Sequence, residues 1–381
     1  MYIKTKEQLQ TFANDIKNTR YLAVDTEFLS NTAYYSKLCL LQLATEDICA
    51  IVDPIAIGDI RALAPIFADK SILKIFHSGN QDCSILYHAL GVVPAPIFDT
   101  QVAGLVLGYA TPVSLATIVE DYCGVILGKT ETCSHWDRRP LTKSQKEYAL
   151  DDVRYLISIY KDMSTKLDML GRASWLAPSF EEMGLEETYT IDPYERWQKV
   201  KYLGHLGPRS MAVLREVAAW REIKAQKQNK VRKKIMSDSL LVKISKRAPK
   251  NFQELYRIRG IDGVISVQDG QEILDAVAAT FAIPEKELPH DVRAENKEKG
   301  DSATVELVSA LLHERARENQ VASMFIATRD DLDALICGRQ EDLSLLDGWR
   351  REIVGAELLD LLAGKISITI RENKIEVNRA S

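Results

Sequence analysis

The chain combines short apolar runs with amphipathic stretches, and the balance between them changes along its length. Three apolar runs close together predict strands that pair as hairpins, at residues 21–28, 38–44 and 48–54. Residues 73–77 predict another strand. Helical periodicity is present at residues 60–68, 80–90, 101–107, 115–122 and 142–167. Strands that come first and then alternate with helices predict an α/β domain over residues 1–185, with a mixed sheet flanked by helices.

Beyond about residue 206 the pattern becomes almost entirely helical. A long amphipathic stretch at 208–230 begins a first helical domain, which we expect to span residues 206–283. A polar segment that favours a linker precedes a second helical domain at residues 302–364. Apolar alternation on both sides of a short polar turn then predicts a β-hairpin at residues 365–379.

Length and composition limit the number of domains and the cellular compartment that we expect for the protein. The 381 residues suggest two or three domains of about 100–200 residues each. No secretory signal opens the chain, and no apolar run approaches the ~18 residues of a membrane span. The six cysteines form no C-x-x-C pair, which favours free thiols in a reducing compartment. We therefore expect a cytoplasmic protein without membrane contact.

A basic segment contrasts with the net charge of −5. Residues 221–250 contain eleven lysines and arginines against only Glu222 and Asp238. Such a local field suits contact with nucleic-acid phosphates, although a solvated helix without a partner is the alternative. The predicted RNA guide patch consists of Arg221, Lys224, Lys227, Lys230, Arg232, Lys233 and Lys234.

Two acidic features stand at the ends of predicted elements. Asp25 and Glu27 lie two apart at the end of a strand and therefore face the same side. Two carboxylates that close repel each other and need a cation or a shared proton. Asp82 lies at the start of a helix, where an acid that stabilises the helix dipole is the alternative. Neither feature alone identifies a site.

A third acidic feature lies in the predicted helix around residue 150. Tyr148 and Asp152 are four residues apart and share one helical face, whereas Asp151 points elsewhere. A Tyr/Asp pair of this kind is commonly surface decoration. Its significance comes from its order after the other two features.

Taken together, these features resemble the tyrosine subclass of the four-carboxylate exonuclease superfamily, whose fold is RNase H-like. Further segments are similar to the ribonuclease D family, and they include Val24–Phe28, Leu41–Leu43, Val52–Pro54, Ile75–Gly79, Arg139–Leu141 and Tyr148–Asp152. Residues 214–258 resemble an HRDC nucleic-acid-binding module, and residues 346–364 resemble the end of a second one. Ser36, His135 and Val231 depart from the family pattern, which usually has proline, aspartate and proline there.

The resemblance implies an exoribonuclease that removes 5′-mononucleotides stepwise from RNA 3′ ends, with transfer RNA precursors and other small structured RNAs as substrates. Oxygen-only ligands suit two Mg²⁺ or Mn²⁺ ions, about 4 Å apart. The predicted ligands are Asp25, Glu27, Asp82 and Asp152. Because a phenol is a poor base at neutral pH, we expect Tyr148 to orient the attacking water.

Five further residues are candidate substrate contacts: Gln42, His77, Lys129, Trp136 and Arg139. A structural role is the alternative for His77, and core packing is the alternative for Trp136. We expect the protein to act as a monomer.

Three other functions fit parts of the pattern. The same chemistry on DNA is open, because no single residue identifies a contact with the 2′-hydroxyl. A non-catalytic RNA-binding adaptor would not need the intact acidic set. A structural calcium site normally uses a compact loop, whereas these acids span more than a hundred residues.

Overall fold

The computed structural model describes residues 1–30, 33–128, 131, 134–201, 206–289, 299–372 and 374–379. The main sheet has six strands: β1 (Tyr2–Ile3), β2 (Tyr21–Leu29), β3 (Lys37–Ala44), β4 (Cys49–Val52), β5 (Leu73–Phe76) and β6 (Ile97–Asp99). Their order across the sheet is β1-β4-β3-β2-β5-β6. β2, β3 and β4 pair antiparallel, as their hairpin spacing predicted, and the other neighbours pair parallel. The sheet is therefore mixed.

Helices cover both faces of this sheet: α1 (Lys6–Ile16), α2 (Pro54–Ile57), α3 (Ala64–Ala68), α4 (Asn80–Leu90), α5 (Thr100–Gly104), α6 (Leu115–Cys123), α7 (Lys143–Arg154), α8 (Leu156–Leu170), α9 (Ala173–Met183) and α10 (Glu186–Tyr189). Successive side chains of β2 point to opposite faces of the sheet and pack into two separate hydrophobic cores. Leu22 and Val24 pack with α1 and α4, whereas Ala23 packs with Val153 and Leu156 of α7 and α8. The face of β2 that packs against α7 and α8 also carries Asp25.

The turn between β5 and α4 is held tightly. Ser78 has φ of 65°, and the N–H groups of Ser78 and Gly79 donate to the Asp99 carboxylate at 3.1 and 2.7 Å. A Cβ on Gly79 would lie 2.4 Å from the Phe76 Cβ, so only glycine fits here. This turn fixes the first turn of α4, which carries Asp82.

The first helical unit is built around one long helix: α11 (Pro208–Gln228), α12 (Arg232–Ile235), α13 (Asp238–Arg247), α14 (Phe252–Tyr256) and α15 (Val267–Thr280). Pro208 stands in the first turn of α11, and Asn229 ends it with φ of 48°. Val213, Leu214 and Val217 of α11 are fully buried against α13 and α15. This unit has a hydrophobic core of its own.

The second helical unit contains α16 (Ser302–Glu318), α17 (Ser323–Ile326), α18 (Arg329–Ile336), α19 (Gly348–Arg350), a π-helical turn (Arg351–Gly355) and α20 (Ala356–Leu362). Its core is continuous with that of the α/β domain, because Val308 and Leu311 belong to the same cluster as Val106. Trp175 and Trp349 stack across the boundary with ring centroids 4.2 Å apart. This unit is therefore docked on the α/β domain.

A two-stranded antiparallel hairpin follows, formed by β7 (Ile366–Arg371) and β8 (Lys374–Arg379). Among the helices that the structure describes, none has the length and apolar character needed to cross a membrane.

Candidate active site

Three carboxylates converge at one face of the sheet. Asp25 and Glu27 project from β2, and Asp152 reaches them from α7. One oxygen from each of these three residues lies within 4.8 Å of the other two. The two-residue spacing on the strand and the packing of α7 over that face therefore produce one acidic cluster.

Asp82 lines the same cleft but is held from the other side. Its Oδ1 accepts a hydrogen bond from the Thr26 hydroxyl. Thr26 alternates with Asp25 and Glu27 along β2, so its side chain faces α4 instead of α7. Thr26 was not among the predicted site residues, although its position between the two acids was a signal for it.

The cleft has a volume of about 550 Å³ and brings the acids together with Tyr148. α7 begins with a capping box, in which the Thr142 hydroxyl accepts from the Gln145 N–H while the Gln145 side chain accepts from the Thr142 N–H. Tyr148 and Asp152 follow on the face that lines the cleft. Asp151 does not line this cleft, as the helical spacing predicted. Its carboxylate forms an ion pair with Arg154, which was not predicted.

The acids repel one another strongly. Burial, followed by the charges of Asp152 and Asp82, raises the pKa of Glu27 to about 8. Burial, followed by the charges of Asp151 and Asp82, raises the pKa of Asp152 to about 7. Burial, followed by the charges of Asp82, Asp152 and Glu27, raises the pKa of Asp25 well above its ordinary value. Burial raises the pKa of Asp82 to about 6 against the opposing effect of the Thr26 hydrogen bond. The cluster therefore requires a positive charge when all four acids are ionised.

The donor set fits divalent cations that prefer oxygen ligands. The clustered atoms are all carboxylate oxygens. Asp152 Oδ2 is buried and has no hydrogen-bond partner among the described residues. An orphaned buried acceptor inside an acidic cluster is what a cation would satisfy.

Two of the predicted substrate contacts line the cleft. His77 is anchored on both sides, since its Nε2 donates to the Val113 carbonyl at 3.0 Å and its Nδ1 lies 2.9 Å from the Thr100 hydroxyl. Burial lowers the pKa of His77 and so favours the neutral form of the ring. Trp136 is buried and packs on Tyr148 with ring centroids 6.0 Å apart. Both positions combine a structural contact with access to the cleft.

The other predicted contacts lie elsewhere. Gln42 pairs with Asp25 in the sheet register, but its side chain is fully buried and does not line the cleft. Arg139 binds the Asp53 carboxylate through Nε at 2.6 Å and Nη2 at 2.7 Å, and it also donates to the Cys39 and Trp136 carbonyls. In this structure, Arg139 therefore ties the segment before α7 to the end of β4. Lys129 lies outside the described residues.

Several members of the predicted guide patch are bound to acids within the fold. Arg221 is buried and pairs with Asp238 at 2.7 Å. Lys224 pairs with Asp269 of α15, which the local charge count could not include. Arg232 pairs with the buried Glu222 at 2.5 Å. The remaining members are exposed: Lys227, Lys230, Lys233 and Lys234.

The sequence of the chain matches known protein families. Residues 1–168 match the family model described as 3′-5′ exonuclease, and residues 210–277 match the model of the HRDC domain. The chain is 35% identical to Ribonuclease D of Sphingobium indicum over 381 residues, which cover 99% of this chain and 98% of that protein. The chain belongs to the ribonuclease D family.

Other relatives agree with this placement. Ribonuclease D of Nitrobacter hamburgensis is 36% identical over 375 residues, covering 98% of both proteins. The crystal structure of Escherichia coli RNase D, described as an exoribonuclease involved in structured RNA processing, superposes with a TM-score of 0.77. That structure is 27% identical and covers 96% of this chain and 98% of its own. This ribonuclease D family member is accordingly an exoribonuclease, and its catalytic domain matches the 3′-5′ exonuclease family.

Proposed function

We propose that this ribonuclease D family member releases 5′-mononucleotides from the 3′ ends of transfer RNA precursors and other small structured RNAs, with two Mg²⁺ or Mn²⁺ ions. The observation that carries this proposal is the convergence of Asp25, Glu27 and Asp152 within 4.8 Å. A cluster of like charges at this spacing suits metal-assisted hydrolysis of a phosphodiester.

We assign a distinct role to each of the four acids. Asp25, Glu27 and Asp152 would hold one cation, which would activate the attacking water. Asp25 would also contribute to holding the second cation, together with Asp82, which Thr26 orients. When bound, these cations would neutralise the cluster, acidify the attacking water and stabilise the leaving 3′ oxygen.

The remaining groups position the reactants. Tyr148 lies one helical turn from Asp152 on the lining of the cleft, where its hydroxyl orients the water. Glu27, the second of the two acids on β2, contacts the terminal 3′-hydroxyl of the RNA. This contact accounts for cleavage at chain ends.

The domain boundaries remain proposals as well. We assign residues 1–185 to the exonuclease domain, 206–283 to a first HRDC domain, 302–364 to a second HRDC-type domain and 365–379 to the hairpin. The helical composition of the second unit and its Gly-Trp-Arg segment at residues 348–350 support this assignment. The monomeric state and the cytoplasmic location remain predictions from the sequence.

A gel time course on a transfer RNA with a 3′ extension, labelled at its 5′ end, tests the proposed function. With Mg²⁺ or Mn²⁺ we expect a ladder that shortens by one nucleotide at a time, and with EDTA no shortening. A matched DNA strand tests the choice of substrate. Absence of shortening with both metals, or equal cleavage of DNA, would contradict the proposal.

A further inference from the structure

A basic cleft lies between the segment that joins the two domains and the first helical unit. The 3₁₀ segment Pro193–Lys199 forms one wall, and α12 with the start of α13 forms the other. The cleft has a volume of about 430 Å³. Six basic side chains line it: Arg196, Lys199, Lys201, Arg221, Arg232 and Lys233.

The acids nearby do not balance these charges. Asp238 pairs with Arg221, and the fully buried Glu222 serves both Arg232 at 2.5 Å and Arg196 at 3.7 Å. Within the described residues, these two carboxylates pair with three of the six cations. Of these cations, three are exposed lysines that form no ion pair within the described part of the chain: Lys199, Lys201 and Lys233. The cleft keeps a large positive excess that attracts anions.

Buried donors inside the cleft also lack acceptors. The Nε atoms of Arg196 and Arg221 are buried and have no hydrogen-bond acceptor among the described residues. Arg221 is 5% exposed, and its Nη1 is already used by the Met236 carbonyl and Asp238. Arg196 Nε lies 3.7 Å from the Glu222 carboxylate, beyond hydrogen-bond distance, so both guanidinium groups keep donor capacity that the described part of the fold does not use. The exposed Ser239 hydroxyl adds a further polar group to the lining.

The cleft is fixed to the catalytic domain. Arg232 Nη2 donates to the Tyr34 hydroxyl at 3.2 Å, and the Arg232 guanidinium lies 4.8 Å from the Tyr34 ring centroid. Tyr34 also donates to Glu222, and its neighbour Tyr35 donates through its N–H to Asn229 at 3.0 Å. Tyr34 follows Glu27 by seven residues, so the chain limits their separation to about 25 Å.

We propose that this cleft binds backbone phosphates of the RNA whose 3′ end enters the active site. Arginines and lysines in a concave cleft with unsatisfied donors suit phosphate oxygens, and they do not distinguish bases. The Tyr34–Arg232–Glu222 contacts hold the bound strand at a fixed position relative to the acidic cluster. This inference rests on the proposed function because it names where that substrate is held.

The test compares two triple variants of the full-length protein. The cleft variant is Lys199→Gln, Lys201→Gln and Lys233→Gln. The matched control is Lys246→Gln, Arg247→Gln and Lys250→Gln, which removes the same charge around the far end of α13. All six residues are exposed, so folding should survive. Binding of a labelled, 3′-extended structured RNA is measured by fluorescence anisotropy in EDTA over a range of salt concentrations.

We expect the negative slope of log K against log salt to become shallower by about 2 in the cleft variant. Each single-strand phosphate contact contributes about 0.7 to this slope, and the variant removes three lysines. Its affinity at low salt should fall at least tenfold. The control should change the slope by clearly less. Equal losses in both variants, or no loss in the cleft variant, would overturn the proposal.

Two further arms separate the alternatives. Inorganic phosphate and a 5′-mononucleotide are titrated against both variants; loss of their binding with unchanged RNA binding would show a small-anion site and overturn the RNA assignment. Cleavage of a dinucleotide with Mn²⁺, measured for the wild type and both variants, reports on the active site alone and separates a loss of RNA binding from a loss of catalysis. If the wild-type protein binds RNA through the cleft but cleaves no substrate, the proposed function is refuted, whereas the assignment of the cleft as an RNA-binding site is supported.

Discussion

Replacing Glu27 with glutamine should stabilise the metal-free protein. Burial and the charges of Asp152 and Asp82 raise the pKa of Glu27 from 4.5 to about 8. Folding at pH 7 without metal therefore requires Glu27 to take up a proton that it does not hold in the unfolded chain. Glutamine has nearly the same shape and does not titrate, so the variant avoids this cost.

The magnitude follows from the separation of the two pKa values. Between pH 4.5 and pH 8, each unit of pH lowers the free energy of unfolding by ~1.36 kcal/mol relative to a neutral side chain. This gives an upper bound of about 3 kcal/mol at pH 7, and we expect ~1–3 kcal/mol because solvent reaches part of the side chain. The cost is absent below pH 4.5, grows as the pH rises and is constant above pH 8.

Urea denaturation in EDTA at pH 5 and pH 7 measures the effect. We expect Glu27→Gln to exceed the wild type clearly at pH 7 and to approach it at pH 5. With Mg²⁺ or Mn²⁺ the order should reverse, because the wild type gains free energy from the cation that it binds. Glu120→Gln, an exposed acid on α6, is the control and should change little at either pH. A variant less stable than the wild type in EDTA at pH 7 would refute the reasoning.

Three further predictions concern catalysis and domain packing. Asp152→Asn should lower the single-turnover cleavage rate by at least about a thousandfold while RNA affinity in EDTA stays within twofold; loss of binding would contradict the separation of cluster and guide surface. Tyr148→Phe should lower the single-turnover rate about 10–100-fold with unchanged metal affinity by calorimetry, and near-normal turnover would remove Tyr148 from the mechanism. Removal of residues 302–379 should expose the shared apolar surface around Val106 and Trp175 and lower the melting temperature of the remainder; an unchanged temperature would show that the second unit docks only weakly.

Some features of this protein follow from the local sequence. The strands β2 to β5 and the long helix α11 could be predicted, because burial of one face imposes a period that short windows display. The same rule brought Asp25 and Glu27 to one side of a strand and Tyr148 and Asp152 to one side of a helix. β1, β6, α1 and α9 were missed. Strands of two or three residues and a helix with an internal proline carry weak patterns, whereas α1 has a capping Thr5 and a regular buried face and was predictable.

Other features depend on partners that are distant in the chain. Arg139 and Asp53 belong to two segments that resemble the family, but only the fold shows that they bind each other. The charge count over residues 221–250 does not show which charges pair: in the structure Asp238 neutralises Arg221, and Asp269, which lies outside that segment, neutralises Lys224. Arg196 and Lys201 gave no signal before the fold placed them beside α12. Periodicity is a local property and determines which way a side chain faces, whereas pairing of charges and docking of helical units depend on long-range packing that only the tertiary structure decides.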